Sequence, residues 1–257
     1  MTGVQVREQE REQGQEQRVG VGAGAGRHPV YEIRSLGLND EVLAFAELER
    51  DPVFHKIEPG KYGYYLSRSL EMGREAAARL KGQPIRQLLD QAGVRFNLAA
   101  SAGAGNGAFK VALRAQLDWS GKVPEITVYR ESMHQLQAAA AASDGALGPV
   151  TFERIVDIHL AHEYYHLLEY RSGRFTNELL EPVECLKLGP FRRMATILQT
   201  SEIAAHAFCK ELLGLPYLPS LLDNIYLVQT DRMKMEQFVE NVNKWKTILG
   251  ESGLHML

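Results

Sequence analysis

A short stretch in the second half of the chain has the residue types and spacing of a catalytic metal site. It reads His162-Glu163-Tyr164-Tyr165-His166, which is a His-Glu-x-x-His motif. Histidines at positions i and i+4 lie on one face of a helix, so both imidazoles can bind the same metal ion. The glutamate beside the first histidine can then act as general base on the water that attacks a carbonyl. The motif therefore predicts His162 and His166 as metal ligands and Glu163 as the catalytic residue.

A catalytic zinc site normally has three protein ligands, so the motif needs a third one. The metzincin pattern requires glycine at position 169 and histidine at position 172, where this chain has Glu169 and Ser172. The gluzincin pattern requires a glutamate from a later helix, and Glu202 is such a residue. Glu202 also falls on the apolar stripe of its predicted helix, where an unpaired carboxylate is costly. Both arguments favour Glu202 as the third ligand of a Zn²⁺ ion, the metal that histidine and carboxylate ligands suit.

Other side chains near the motif remain open as alternatives. His206 lies one helical turn after Glu202, so it could bind the metal itself or orient a ligand through a hydrogen bond. His159 and Glu169 lie one turn before and after the histidine pair and are further candidates to orient it, although a solvated or packing role is the simpler interpretation of each. Three glutamates between the two helices are fallback ligands: Glu178, Glu181 and Glu184. In the contrasting interpretation no metal binds, and the two histidines are partly buried and bonded to the backbone or to carboxylates.

The elements that must position these residues are mostly helices. Apolar periodicity predicts helices over residues 39–91 (with separate helices at 65–80 and 84–91), 131–142, 151–170, 190–213, 221–228 and 232–249. Thr151 is a suitable cap for the helix that carries the motif, and Gly214 and Pro216 end the helix of Glu202. Alternating apolar and polar residues predict an antiparallel pair of strands over 109–117 and 126–129, with a further strand over 94–98. Residues 171–188 are predicted to be irregular.

This order of elements predicts an α+β fold that is mainly helical and contains a short antiparallel β-sheet. Residues 1–28 are rich in Glu, Gln and Arg and then in Gly and Ala, so we expect a disordered tail there. A helical part follows over residues 29–95. The remaining residues, 96–257, are predicted to form the metal-binding core together with the C-terminal helices.

The composition excludes several classes of protein. The chain has 257 residues, of which 45% are hydrophobic and 24% charged, as in an average globular protein. Its formal net charge of −3 provides no strong basic field, which argues against nucleic acid as a partner. Residues 64–96 resemble a basic helical DNA-reading unit only loosely, and a solvated face explains their charges more simply. No apolar run is long enough to span a membrane, so no membrane partner is expected, and the two cysteines point to a reducing compartment such as the cytoplasm.

Two further motifs, together with the first, resemble the ImmA/IrrE-type metallopeptidases. The pattern of that family is His-Glu-x-x-His, then Glu-x-x-Ala-Asn/Asp-x-Phe-Ala, then Leu-Leu-x-Pro. The corresponding residues here are His162-Glu163-x-x-His166, then Glu202-x-x-Ala205-x-x-Phe208, then Leu212-Leu213-x-Leu215-Pro216. The resemblance covers about residues 126–216. It departs from the family at His206, where the family has Asn or Asp, and in the long segment that separates His166 from Glu202.

The resemblance implies a gluzincin-like, zincin-type core in which a short antiparallel sheet packs on the metal-binding helices. It implies zinc held by His162, His166 and Glu202, with Glu163 as the base, and an intracellular protease that acts on transcriptional regulators. We therefore expect a cytoplasmic zinc metallopeptidase that hydrolyses a peptide bond of a protein. The alternative is a metal-binding regulatory or interaction protein without proteolysis.

Two details of the expected mechanism stay open at the level of the sequence. A peptide substrate is expected to add along the strand over residues 126–129. A tyrosine or histidine usually steadies the oxyanion, and four residues are candidates: His159, Tyr164, Tyr165 and Tyr217. Tyr164 and Tyr165 are more often packing residues.

Overall fold

A computed structural model describes residues 33–101, 113–143 and 147–251 of the chain. The tail predicted over residues 1–28, and residues 109–112 of the strand predicted over 109–117, lie outside the described residues. No helix within these residues combines the length and the apolar composition needed to cross a membrane.

The described residues form an α+β fold that is mainly helical, as predicted, and that contains two small sheets. In chain order the elements are α1 (Asp40–Leu48), α2 (Tyr62–Ala78), α3 (Ile85–Gln91), β1 (Arg95–Ala99), β2 (Ala115–Asp118), β3 (Glu125–Tyr129), α4 (Arg130–Ala142), α5 (Phe152–Ser172), the short α6 (Thr176–Leu179), β4 (Val183–Leu188), β5 (Phe191–Ala195), α7 (Gln199–Leu213), α8 (Ser220–Gln229) and α9 (Met235–Glu251).

Helix α5 carries the His-Glu-x-x-His motif near its middle, away from both ends. Its start is capped as predicted, because the Thr151 hydroxyl accepts a hydrogen bond of 3.2 Å from the Arg154 N–H. Its end is set by Gly173, whose left-handed φ of 62° lets the chain turn away. The Arg174 N–H then bonds to the Glu169 carbonyl at 3.2 Å. The helix predicted over residues 151–170 is therefore confirmed.

The segment between α5 and α7 corrects two predictions. Residues 171–188 are not irregular throughout, because they contain α6 and β4, and the helix predicted over 190–213 begins only at Gln199. Phe191, Met194 and Leu198 recur at a helical spacing, yet all three side chains are exposed and the first two lie on β5. A helical period of apolar residues indicates a helix only where a core lies against them, and here none does.

The three-stranded sheet has the order β1-β3-β2. Strands β2 and β3 pair antiparallel, which confirms the predicted hairpin, whereas β1 runs parallel to β3 and makes the sheet mixed. Both edges of β3 are thus occupied, so the prediction that a peptide adds along residues 126–129 is wrong. The sheet packs on α5 through β2 and β3, and β2 is the outer strand on that side.

Helices from the predicted N-terminal part (29–95) and from the rest of the chain share one hydrophobic core. The closest approach is between α2 and α7, because a Cβ added to Gly73 would lie 2.1 Å from the Ala204 carbonyl oxygen. Glycine at this position lets the two backbones touch, two residues from Glu202. The position of α7 therefore depends on α2.

Two aspartates from the N-terminal part also hold α7. The Asp51 carboxylate accepts a hydrogen bond of 3.0 Å from the Gln199 N–H, at the first residue of α7, where backbone donors lack partners in the helix. Asp40 forms ion pairs of 2.7 Å with Lys210 on α7 and with Arg74 on α2. These contacts hold the first residue and the last turn of the helix that carries Glu202.

Replacing Gly73 with alanine is expected to lower the free energy of unfolding by about 1–3 kcal/mol, because the added methyl group cannot fit against the Ala204 carbonyl. Thermal unfolding followed by circular dichroism measures this change. Gly250→Ala is the matched control, since that glycine also lies in a helix but a Cβ there meets nothing within 4 Å. Equal unfolding temperatures for the two variants would contradict the close approach of α2 and α7.

Candidate metal centre

Three predicted ligands converge on one point in the structure. The Nε2 atoms of His162 and His166 lie 3.2 Å apart, His162 Nε2 lies 3.1 Å from Glu202 Oε2, and His166 Nε2 lies 3.5 Å from Glu202 Oε1. Tetrahedral zinc with bonds of about 2.0–2.1 Å places its ligand atoms about 3.3–3.4 Å apart. The three side chains therefore lie close enough together to bind a metal ion, and their spacing fits zinc.

The packing of α5 against α7 creates this convergence. Helix α5 presents both histidines from successive turns of one face, and α7 presents Glu202 from its first turn. Farther along α7, the ring of Phe208 packs against the ring of Tyr165 on α5 at a centroid distance of 5.5 Å. The Cys209 thiol donates a hydrogen bond to the Ile158 carbonyl. The two helices are thus locked together on both sides of the site.

The charges of the site call for a cation. Burial opposes ionisation of Glu202, but hydrogen bonds to His162 and His166 outweigh it and hold the pKa of the carboxyl well below its usual range. Burial likewise opposes a charged His166, but the carboxylates of Glu169 and Glu202 raise its pKa to about 10. In the absence of metal, a proton on His166 therefore balances these carboxylates. A divalent ion can replace that proton, because neutral imidazole and ionised carboxylate are the forms that bind metals.

Glu169 orients His166 from the side opposite the site. Its Oε2 lies 3.0 Å from His166 Nδ1, so a hydrogen on Nδ1 directs the free electron pair of Nε2 at the point of convergence. The other oxygen accepts hydrogen bonds from the Thr176 N–H (2.7 Å) and the Ser201 hydroxyl (3.1 Å). These contacts outweigh burial and lower the pKa of Glu169, so the carboxylate is ionised. This agrees with the orienting role that the sequence suggested for Glu169.

Glu47 on α1 is a buried carboxylate near the site that sequence reasoning missed. It is 8% exposed and pairs with Arg50 at 3.1 Å. Burial raises its pKa, Arg50 lowers it, and the nearby Glu202 raises it further. The signal was available, because Glu47 interrupts a run of apolar residues in α1 just as Glu202 interrupts the stripe of α7.

His206 and His159 lie beside the triad but outside it. The His206 ring stands 5.0 Å from the His162 ring, and its buried Nδ1 has no hydrogen-bond partner among the described residues. Burial lowers the pKa of His206 to about 3 and that of His159 to about 4, so both rings are neutral. His159 Nδ1 donates to the Ile155 carbonyl at 2.8 Å. The donor atoms that converge belong to His162, His166 and Glu202, so the structure favours Glu202 over His206 as the third ligand.

Glu163, the predicted base, is half-buried on α5 next to His162. In the part of the chain that the structure describes, its carboxylate has no hydrogen-bond or ion-pair partner. It does not belong to the converging group either. Both facts are consistent with a base that acts on water rather than with a metal ligand.

The remaining candidates from the sequence lie elsewhere. Glu181 binds Lys61 at 2.7 Å, Glu184 lies 3.5 Å from Arg192, and neither they nor Glu178 join the converging group. The Tyr165 hydroxyl bonds to the Thr176 hydroxyl at 2.7 Å. Tyr164 is buried, as expected of a packing residue, and Tyr217 is near Arg154. No described contact assigns the oxyanion donor to any of these tyrosines.

The basic residues of the segment 64–96 are largely paired. Arg68 binds Glu71, Arg74 binds Asp40, and Arg86 binds Glu153 and Asp157. Arginines that are engaged with carboxylates offer little to phosphate groups. The arrangement supports a solvated, ion-paired surface rather than a DNA-reading unit.

No family model matches the chain, and no curated protein or solved structure is significantly similar to it. The function therefore has to be inferred from the chemistry and geometry of the site.

Replacing Glu169 with glutamine is expected to weaken zinc binding about 10- to 100-fold, because the hydrogen bond that orients His166 loses its charge. Competition with a fluorescent zinc chelator measures this change. Glu178→Gln is the control, since that exposed carboxylate lies in the same segment outside the site. Equal zinc affinity in the two variants would show that Glu169 is not an orienting residue.

Proposed function

We propose that this chain is a zinc-dependent metallopeptidase that hydrolyses a peptide bond of a protein substrate. One observation carries the proposal: His162, His166 and Glu202 meet at the spacing of a tetrahedral zinc site. The adjacent Glu163 carboxylate has no partner among the described residues, which suits a residue that must exchange protons. Two ligands from one helix and a glutamate from a later helix are the donor set of gluzincin-type hydrolases.

Each residue of the candidate site would have a separate role in peptide hydrolysis. A bound zinc ion would supply a Lewis acid that polarises the scissile carbonyl and acidifies a water molecule. Glu163 would take the proton from that water and return it to the leaving amine, as general base and then general acid. Glu169 would keep His166 in the orientation that binds metal. His162 and Glu202 would complete the ligand set.

Strand β2 is the best-placed edge for an extended substrate. Its outer edge forms no backbone hydrogen bonds in the described part of the chain, and it packs against α5. At its end, Trp119 stacks on Tyr170 with ring centroids 4.8 Å apart. Tyr170 lies one helical turn beyond His166, so this stacked pair ties the edge strand to the helix of the site. A peptide added to β2 would run alongside that helix.

The resemblance to the ImmA/IrrE-type metallopeptidases supports the same reaction and refines the substrate. By that resemblance we propose a transcriptional regulator as the protein cleaved, and the cytoplasm as the place of cleavage. The substitution of His206 for the family's Asn or Asp does not alter the donor set, because His206 stays outside the converging group.

Replacing Glu163 with glutamine is expected to retain about one zinc ion per chain and to slow hydrolysis by about 10²- to 10⁴-fold, because the amide cannot accept the proton. Zinc is measured by elemental mass spectrometry, and hydrolysis by mass spectrometry on a mixed peptide library. Glu153→Gln is the matched control, since it makes the same change at an exposed position of α5. Undiminished hydrolysis by the Glu163 variant would exclude this residue as the base. Zinc-loaded wild-type protein that cleaves neither peptides nor proteins would instead indicate the non-proteolytic metal-binding alternative.

Replacing His162 with alanine is expected to abolish zinc retention during purification, because a tetrahedral site would keep only two protein ligands. His55→Ala, at an exposed position outside the site, should retain zinc at the wild-type level. Elemental mass spectrometry on the purified variants measures both. Retention of zinc by the His162 variant would place the metal elsewhere in the chain.

A further inference from the structure

The β4–β5 hairpin (residues 183–195) and the residues just after it form the most apolar exposed surface of the described chain. The five most exposed large hydrophobic side chains of the described residues all lie between positions 186 and 198: Leu186, Leu188, Phe191, Met194 and Leu198. Phe191 is 77% exposed and Leu188 67%, on either side of the turn. Single exposed apolar residues are ordinary, but a cluster of this kind marks an interaction site.

The two faces of the hairpin differ in chemistry. Leu188 lies directly opposite Phe191 in the ladder, and Lys187 lies opposite Arg192. Side chains of successive pairs point to opposite faces of a sheet, so at the tip one face is apolar and the other carries two facing cations. The next pair adds Leu186 and Arg193 to the apolar face, so the contrast between the faces is confined to the two pairs at the tip. Like charges directly opposite each other are destabilising unless an anion lies nearby. The only ion pair described for the hairpin joins Arg192 to Glu184 at 3.5 Å.

The hairpin carries a positive charge and free backbone edges. Lys187, Arg192 and Arg193 stand against the single carboxylate of Glu184, which leaves a net charge of +2 in a chain whose net charge is −3. Neither outer edge forms a backbone hydrogen bond with another element in the described residues. A two-stranded sheet is only marginally stable, so a third strand would complete it. The irregularity between Glu184 and Leu186 disrupts the β4 edge, which leaves β5 as the regular one.

We propose that β5 binds an extended segment of the protein substrate in which acidic and apolar residues alternate. An added strand places successive side chains on opposite faces. Its apolar residues would lie next to Phe191, on the face that also carries Leu188, and its carboxylates next to Arg192, on the face that also carries Lys187. A lipid surface would use the apolar tip and the cations but not the free strand edge, so the edge favours a polypeptide.

The hairpin is also coupled to the candidate metal centre. Thr196, just after β5, accepts a hydrogen bond of 3.2 Å from the Asn177 side-chain amide, and the Asn177 N–H lies 3.3 Å from the Ser201 hydroxyl. Ser201 donates in turn to Glu169, which holds His166. The end of β5 is thus connected to the partner of His166 by a continuous set of hydrogen bonds. That the docked protein is the one cleaved depends on the proposed function; the docking itself does not.

Docking is tested by binding alone, with Glu163→Gln protein to prevent cleavage. The probe is a fluorescein-labelled peptide of about twelve residues that alternates Asp or Glu with Leu or Val. Two comparison peptides replace the acidic residues with lysine, or keep the composition but separate acidic and apolar residues into blocks. Fluorescence anisotropy is expected to show binding of the alternating acidic peptide at least tenfold tighter than of either comparison peptide. Its affinity should fall as salt is raised from about 0.05 M to about 0.5 M.

Variants of the hairpin locate the binding. The pair Lys187→Glu and Arg192→Glu, and separately the pair Leu188→Ser and Phe191→Ser, are expected to weaken binding at least tenfold with unchanged thermal unfolding. The pair Arg95→Glu and Lys122→Glu is the matched control, because it reverses two exposed cations near the other sheet. N-methylation of alternate peptide bonds in the probe should abolish binding, since it blocks strand addition but retains the side chains.

Several outcomes would overturn the proposal. Equal affinity for the acidic and the lysine peptide, or an affinity that the hairpin variants do not change, would exclude this surface as the docking site. Binding to vesicles of phosphatidylcholine and phosphatidylserine in place of the peptide, lost in the same variants, would make it a lipid-binding surface. A concentration-dependent dimer that Phe191→Ser abolishes would show that a second copy covers it. Wild-type hydrolysis of short peptides that lack the acidic pattern would show that the proposed function holds even if docking fails.

Discussion

The half-buried carboxylate of Glu202 is the group on which the contacts of the candidate site centre. A carboxylate removed from water must be compensated by a cation or by donors, and here two imidazoles from α5 face it at 3.1 and 3.5 Å. Because Glu169 is also ionised, the carboxylates of Glu169 and Glu202 carry an uncompensated negative charge unless a proton or a metal ion is bound. A divalent ion bound to the three side chains would take the place of the proton on His166. Either a proton or a divalent ion meets the need for charge compensation, and the spacing of the three donor atoms is the observation that favours the ion.

Placing that carboxylate requires contacts far from the motif. The Gly73 contact and the Asp51 cap position the start of α7, and the first turn of α7 carries Glu202. Both residues belong to the N-terminal part of the chain, far in sequence from the His-Glu-x-x-His motif. The N-terminal helices therefore help to position the site. Without them α7 would lack the backbone contact at Gly73 and the cap at Asp51. Rigid support of this kind is what a site needs if its ligands are to stay within a few tenths of an ångström.

The sequence predicted the site better than it predicted the elements around it. The spacing of His162 and His166 is a property of a single helix. Glu202 could be identified because it is a charged residue on the apolar stripe of its helix. Both signals are local. The predictions were wrong where the structure depends on residues distant in sequence. Residues 191–198 have a helical apolar period, but no core packs against them. Strand β3 has no free edge, because β1 pairs with it in parallel. The orienting network of Glu169 was only partly visible, because Thr176 and Ser201 reach it through the tertiary fold. Glu47 carried the same local signal as Glu202 and could have been found.

The segment between α5 and α7 both supports the candidate site and forms the exposed hairpin. Its first half supplies Thr176 and Asn177, whose hydrogen bonds reach Glu169 and Ser201, and its second half forms the β4–β5 hairpin. Because the segment joins the two helices that carry the ligands, it cannot move without disturbing the partners of Glu169. Metal binding and the order of this segment are then linked, since an ion that needs a correctly oriented His166 stabilises every contact that orients it.

The same linkage runs in reverse. A strand held on β5 would stabilise the hairpin root at Thr196, and through Asn177 and Ser201 it would favour the orientation of His166 that binds metal. The segment would thus give a strand docked on β5 a physical route to the side chains of the candidate metal centre.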